Sequence, residues 1–189
     1  AISCNTGEAA LAIVYFYQKN NKGNWEISQT LPSIAEGWGT VSISGNYVII
    51  TIQTPPTSTG EFRVFQRNTK GNNWELDQTV KTDIDVYDHR DDIPSISGNY
   101  LTVTDIDNSG LLDIYEKKTK GNKWEFLKRL IGVGATDSFG AGHQISGNHL
   151  IVAAPLADKG TIYIYERNAK DKHWHMVFSF TDPEADSAY

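Results

Sequence analysis

Polar and apolar residues alternate along short runs throughout the chain, and the runs return in a fixed order. The first type is VSIS (41–44), with counterparts PSIS (94–97) and HQIS (143–146). Each is followed by Gly-Asn and then by a run that is nearly continuous in apolar residues: YVIITI (47–52), YLTVT (100–104) and HLIVAA (149–154). A third type alternates around aromatics, as VYFY (14–17), RVFQ (63–66), DIYE (113–116) and YIYE (163–166). The fourth opens on tryptophan: WEISQTL, WELDQTV, WEFLKRL and WHMVFSF. Alternation with period two predicts half-buried strands, and the continuous runs predict strands buried on both faces. No window keeps apolar residues at i, i+3, i+4 and i+7, so helix is disfavoured everywhere.

The connections are equally regular. Gly45-Asn46, Gly98-Asn99 and Gly147-Asn148 are two-residue links. Glycine in the first central position predicts a type II′ hairpin. Lys-Gly-Asn at 22–24, 70–72 and 120–122 precedes three of the tryptophans, and the fourth copy reads KDKHW (170–174). Trp25, Trp74, Trp124 and Trp174 are spaced by 49, 50 and 50 residues. A four-strand antiparallel unit at that period matches the blade of a β-propeller, so the expected fold is an all-β propeller with about 3.8 repeats. The expected blades cover approximately 1–36 (partial), 37–82, 83–133 and 134–181, with 182–189 leading into a further blade. The sequence favours a window from a longer propeller over a small closed ring. Either way the terminal blades should be paired with more chain or with another copy, because bare blade faces invite aggregation.

Composition narrows the class without changing the fold. With 39% hydrophobic and 21% charged residues the chain is an ordinary globular one. Its formal charge of −6 argues against nucleic acid as a partner. The single cysteine cannot form an internal disulfide. No apolar run is long enough for a membrane span, and no signal peptide is visible at the start.

The phrase FG…QISGNHLIVAAP…GTIYIYER at 139–167 resembles the FG-GAP repeat of integrin α-chain-like propellers. Phe139-Gly140 and Ala153-Ala154-Pro155 carry the resemblance, and Trp38-Gly39 is a variant of its first element. The resemblance implies an extracellular or cell-surface module that binds proteins or glycans. It also implies calcium in a loop between the first two strands of some blades. Here that loop is the Gly-Asn hairpin, so the calcium site does not carry over.

Candidate chemistry is sparse. Asp105, Asp107, Ser109 and Asp113 fall at D-x-D-x-S-G-x-x-D, an oxygen-rich spacing that suits Ca2+, although between the second and third strands. Asp83, Asp85, Asp88, Asp91 and Asp92 crowd the link before an inner strand, a rim position fit for a partner contact. Lys117, Lys118, Lys120 and Lys123 surround a turn that reads as a solvated hairpin. Trp25, Trp74, Trp124 and Trp174 are sugar-stacking candidates, although one per blade also fits a packing role. His173 and His175 would share one strand face as a metal pair, without a third ligand in sequence. No G-x-S-x-G elbow or other catalytic set is present. The expected function is therefore a non-enzymatic recognition module that binds a protein through its loop rim. The alternatives are a propeller lectin, or a fragment of a larger propeller enzyme whose site lies elsewhere.

Overall fold

A computed structural model describes residues 2–4, 13–31, 40–52, 60–68, 70, 73–82, 94–105, 110–133, 137–157 and 160–181. They form antiparallel strands and connecting turns, with no helix among the described residues. The chain divides into two compact units, Ala1–Pro94 and Ser95–Tyr189, each containing two sheets.

In the first unit, β1 (Ile2–Cys4), β2 (Ile13–Lys19) and β3 (Trp25–Leu31) form a three-stranded meander. Beside it, β4 (Val41–Ser44), β5 (Tyr47–Ile52), β6 (Glu61–Arg67) and β7 (Trp74–Lys81) form a four-stranded one. The second unit holds β8 (Ser95–Ser97), β9 (Tyr100–Asp105), β10 (Leu111–Lys117) and β11 (Trp124–Ile131) in one sheet. Its other sheet is β12 (Gly142–Ser146), β13 (His149–Ala154), β14 (Thr161–Arg167) and β15 (Trp174–Thr181). Every neighbouring pair is antiparallel and consecutive in sequence. Repeated blade-like sheets of this kind make the fold all-β and of propeller type.

The hairpins follow the predicted turn chemistry. Gly45, Gly98 and Gly147 sit at φ 55°, 57° and 57°, while the asparagine after each stays out of the left-handed region. Positive φ at the first central residue alone is the type II′ signature. A β-bulge recurs at one register position in every sheet, between Phe16/Tyr17, Val64/Phe65, Ile114/Tyr115 and Ile164/Tyr165. Each bulge leaves one residue of the Trp strand without a cross-strand partner and turns the start of that strand relative to its end. In the first sheet that residue is Ser28, whose Oγ donates to Phe16 O at 3.1 Å.

Within each unit the two sheets pack face to face. Val14 and Phe16 of β2 meet Val48, Ile50, Phe65 and Trp74 of the next sheet. Leu112, Ile114 and Leu130 meet Leu150, Val152, Tyr163 and Trp174 in the second unit. Burying such apolar faces is worth roughly 25 cal/mol per Å2 and is the main force assembling each pair. The prediction of strands buried on both faces holds for β5 and β9, where Val48, Ile49 and Ile50, and Leu101 through Thr104, are buried. It fails for β13: Leu150 and Val152 are buried, but Ile151 between them is 43% exposed. One face of that sheet packs inside its unit and the other does not.

Candidate functional site

One end of the second unit is a set of loops brought together by the registers of both sheets. Leu111 pairs with Ile131 and with Asp105, so the links after β9 and β11 emerge side by side. Ala154 pairs with Thr161, which places the β13–β14 link at the matching end of the other sheet. Backbone hydrogen bonds join the described residues of these loops. Gly132 N donates to Gly110 O at 3.0 Å, and Leu156 N donates to Asp137 O at 3.1 Å. Phe139 N donates to the buried Asp137 Oδ1 at 3.0 Å, which folds the Asp-Ser-Phe-Gly segment onto itself.

Phe139 is the plug of this arrangement. It is fully buried, and its ring lies 5.6 Å from that of Tyr163. Gly110, at φ 61°, approaches it so closely that a Cβ would sit 2.6 Å from Phe139 N. Gly140, at φ 98°, leaves no room for a Cβ beside Thr104 Cγ2. The Phe-Gly pair thus does packing work, closing the loops against the sheets. Behind it, His143 on β12 is half-buried, with Nδ1 3.2 Å from Gly140 O. Burial pushes its pKa down to about 4, outweighing the opposing effect of ring N–H donation to the backbone of Gly140 and Thr102.

Two apolar side chains on these loops are exposed to solvent. Val133 is 88% exposed and Leu156 is 56% exposed. Neither was singled out by sequence reasoning, since a lone Val or Leu in a loop has no pattern to distinguish it from core.

The predicted site residues are placed unevenly. Asp113 is 1% exposed and both its oxygens are engaged: Arg129 Nε donates to Oδ1 at 2.7 Å and Nη2 to Oδ2 at 2.8 Å. Asp107 and Ser109 lie outside the described residues, and of Asp105 only the strand backbone is described. Asp83, Asp85, Asp88, Asp91 and Asp92 also lie outside them, as does Trp38-Gly39. Among the described residues no group of three His, Cys, Asp or Glu is placed to hold a metal. His175 Nε2 sits 2.8 Å from Asp171 Oδ2, with the His173 ring 6.4 Å away, all on the surface.

The four tryptophans divide. Trp74, Trp124 and Trp174 are 9%, 2% and 1% exposed, although all four tryptophans share one register position. Trp25 is 66% exposed with Lys19 Nζ 5.4 Å from its ring centroid, so it is the one whose face is open to solvent.

A polar cluster links the sheets of the second unit. Tyr100 OH donates to Glu116 Oε1 at 2.9 Å, and Arg167 Nη2 reaches the same oxygen at 3.4 Å. Lys118 pairs with Glu116 Oε2, and the Arg167 guanidinium lies 5.0 Å above the Tyr100 ring. Burial, then the hydrogen bond and charge of Glu116, push the Tyr100 phenol up to about 12. Burial also pushes Glu116 up, but the bonds from Lys118 and Tyr100 and the nearby positive charges win and hold it below the ordinary carboxylate range. This cluster has the character of an inter-sheet tie rather than an acid–base pair: neither group is brought toward neutral pH.

No family model matches the chain, and no curated protein matches it. Solved structures do. A crystal structure of a protein from Lactobacillus plantarum matches with a TM-score of 0.56 at 15% identity. The match covers 90% of this chain and 51% of that one, so the chain spans about half the length of this structural relative. A protein of unknown function from Bacteroides fragilis matches at 9% identity with a TM-score of 0.43, covering 96% of this chain and 91% of that one. The first similarity carries the fold alone.

Proposed function

We propose that the chain is a non-enzymatic recognition module of propeller type that holds a protein partner on its loop end. The observation that carries this reading is the pair Val133 and Leu156, exposed on loops fastened by the Asp137 and Gly110 backbone contacts. Apolar side chains on rigid loops lose little entropy on binding and suit an interface core. A photo-crosslinking residue at position 133 would identify the partner. Val133→Asp and Leu156→Asp should then weaken the purified partner's binding at least tenfold with melting unchanged. Equal affinity in both variants would refute the reading.

The FG-GAP kinship belongs to the same proposal, supported by the packing role of Phe139-Gly140. With it comes an extracellular or cell-surface setting, where such modules meet their partners. Calcium at Asp105, Asp107, Ser109 and Asp113 would have to share Asp113 with Arg129. A calcium titration that raises the melting temperature of the wild type but not of Asp107→Asn supports that site, and no shift at millimolar metal excludes it.

A further inference from the structure

The hairpin between β14 and β15 departs from the turn used elsewhere in the chain. Lys-Gly-Asn precedes the other three tryptophans, whereas this turn reads Lys170-Asp171-Lys172-His173 before Trp174. By register, Asp171, His173 and His175 replace Gly121, Lys123 and Glu125 of the preceding sheet. No other sheet carries histidine at these positions. Hydrogen bonds fix the backbone of the turn. Asn168 N donates to His173 O at 2.9 Å, Lys172 N donates to Asn168 O at 3.0 Å, and Asn168 Oδ1 accepts from Lys170 N at 2.8 Å. Trp174, between the two histidines, is buried, and Lys128 Nζ donates to its carbonyl oxygen at 3.0 Å.

One carboxylate orders both histidines. Asp171 Oδ1 accepts from His173 N at 2.8 Å, and Asp171 Oδ2 accepts from His175 Nε2–H at 2.8 Å. A proton on Nε2 leaves the lone pair of the neutral ring on Nδ1. Metal-ligating histidines have this arrangement, with the second ring nitrogen donating to a carboxylate. The His173 ring lies 6.4 Å from that of His175, centroid to centroid, at an interplanar angle of 72°. We infer that His173 and His175 form a surface site for a divalent transition-metal ion of the Zn2+ or Cu2+ class, with Asp171 as its positioning carboxylate. Imidazole suits these ions, whereas Ca2+ and Mg2+ take oxygen ligands. The protein supplies two ligands rather than three, and water fills the rest of the coordination shell. Both side chains are exposed, so a rotamer change brings the rings onto one ion with the strand unmoved.

Access to these positions does not require a bare sheet face. Glu125, the counterpart of His175, pairs with Glu116, on the face of its sheet that the next sheet covers, where Glu116 meets Arg167 at 3.4 Å. Glu125 and Lys123 stay exposed all the same. Glu26 does so in the first unit, on a sheet packed in the same way. The hairpin tip thus projects past the contact between sheets. Charge around it is mixed: Glu166, paired with His175 in the ladder, favours a bound cation, and the exposed Lys170 and Lys172 oppose one. The site lies at the opposite end of β14 from the link that carries Leu156, so it is separate from the proposed partner surface.

Calorimetric titration of the full chain with Zn2+ should show binding that disappears when His173→Ala and His175→Ala are combined. Both positions are exposed, so far-UV circular dichroism should be unchanged. Long-range proton–nitrogen spectra identify the ligating atoms. Zn2+ should shift Nδ1 of His175 while its Nε2 stays protonated, and should shift one ring nitrogen of His173. Asp171→Ala should weaken Zn2+ roughly tenfold and abolish the preference for Nδ1, a change that a merely structural role would not produce. Each single histidine variant should weaken it further. Cu2+ should bind more tightly than Zn2+, and Ca2+ should leave both rings unshifted. Zn2+ binding that survives the double variant overturns the inference, as does a wild type whose two imidazoles are unshifted at millimolar Zn2+. An Asp171→Ala protein that binds like the wild type overturns the positioning role.

Discussion

Gln29 is the sharpest test of how the sheets of the first unit are held. Its carboxamide accepts from Trp74 N at 2.7 Å and donates to Trp74 O at 2.8 Å, tying two strands 45 residues apart in sequence. Gln29→Leu keeps the volume and removes both bonds. Each partly buried bond is worth about 1 kcal/mol net, and leaving a buried partner unsatisfied raises that to ~1–3 kcal/mol. Trp74 is 9% exposed, so water reaches its backbone poorly and the expected loss is about 2–4 kcal/mol. Gln29→Glu is the control, since it retains an acceptor for Trp74 N but sets a carboxylate oxygen against Trp74 O. Urea unfolding followed by tryptophan fluorescence reads both, and the slope should be unchanged if only stability moves. Lys128→Met in the second unit breaks a single bond and should cost less, about 1 kcal/mol. The reasoning fails if Gln29→Leu lies within ~0.5 kcal/mol of wild type, the range of an ordinary surface substitution.

Three further outcomes are expected. His143 has a folded pKa of about 4 against 6.5. The unfolded chain therefore takes up a proton first, and stability falls as pH drops from 6.5 toward 4, by at most ~3 kcal/mol. Urea midpoints across that range should slope in the wild type and flatten in His143→Gln; Glu116 acts in the same direction only below its ordinary 4.5. Arg129→Met strands the buried Asp113 carboxylate and should cost ~3–5 kcal/mol, while Asp113→Leu added to it should recover most of the loss in thermal unfolding. Gly110→Ala, with φ 61° and a Cβ 2.6 Å from Phe139 N, should lose at least ~1 kcal/mol more than Gly147→Ala, which meets nothing within 4 Å. Melting of the two variants side by side decides it.

Local rules reach far in this chain because its elements are short and repeat. Period-two alternation marks strands, and Gly-Asn between two such runs marks a type II′ hairpin, since only glycine adopts positive φ freely. Those signals depend on neighbours in sequence, so the meanders, their strand order and the propeller class were all legible. The recurrent bulge was not. It shows only in the register of the paired strands, where one residue of the Trp strand has no opposite number, and no single run of residues encodes that.

What the sequence alone determined is therefore the blade: its strands, its turns and its period. Which face of each blade is covered was decided only in three dimensions. WEISQTL and WELDQTV read alike, yet Trp25 is open to solvent and Trp74 is buried against Phe16. The same is true of Ile151 and Thr102, one half-exposed and the other fully buried at equivalent positions. Burial is a property of what lies across a face. An acidic residue such as Asp113 likewise becomes a salt-bridge partner rather than an open metal ligand because Arg129 folds beside it from the neighbouring strand. A repeat gives every blade the same two surfaces; packing against a neighbour decides which become core and which remain available to bind.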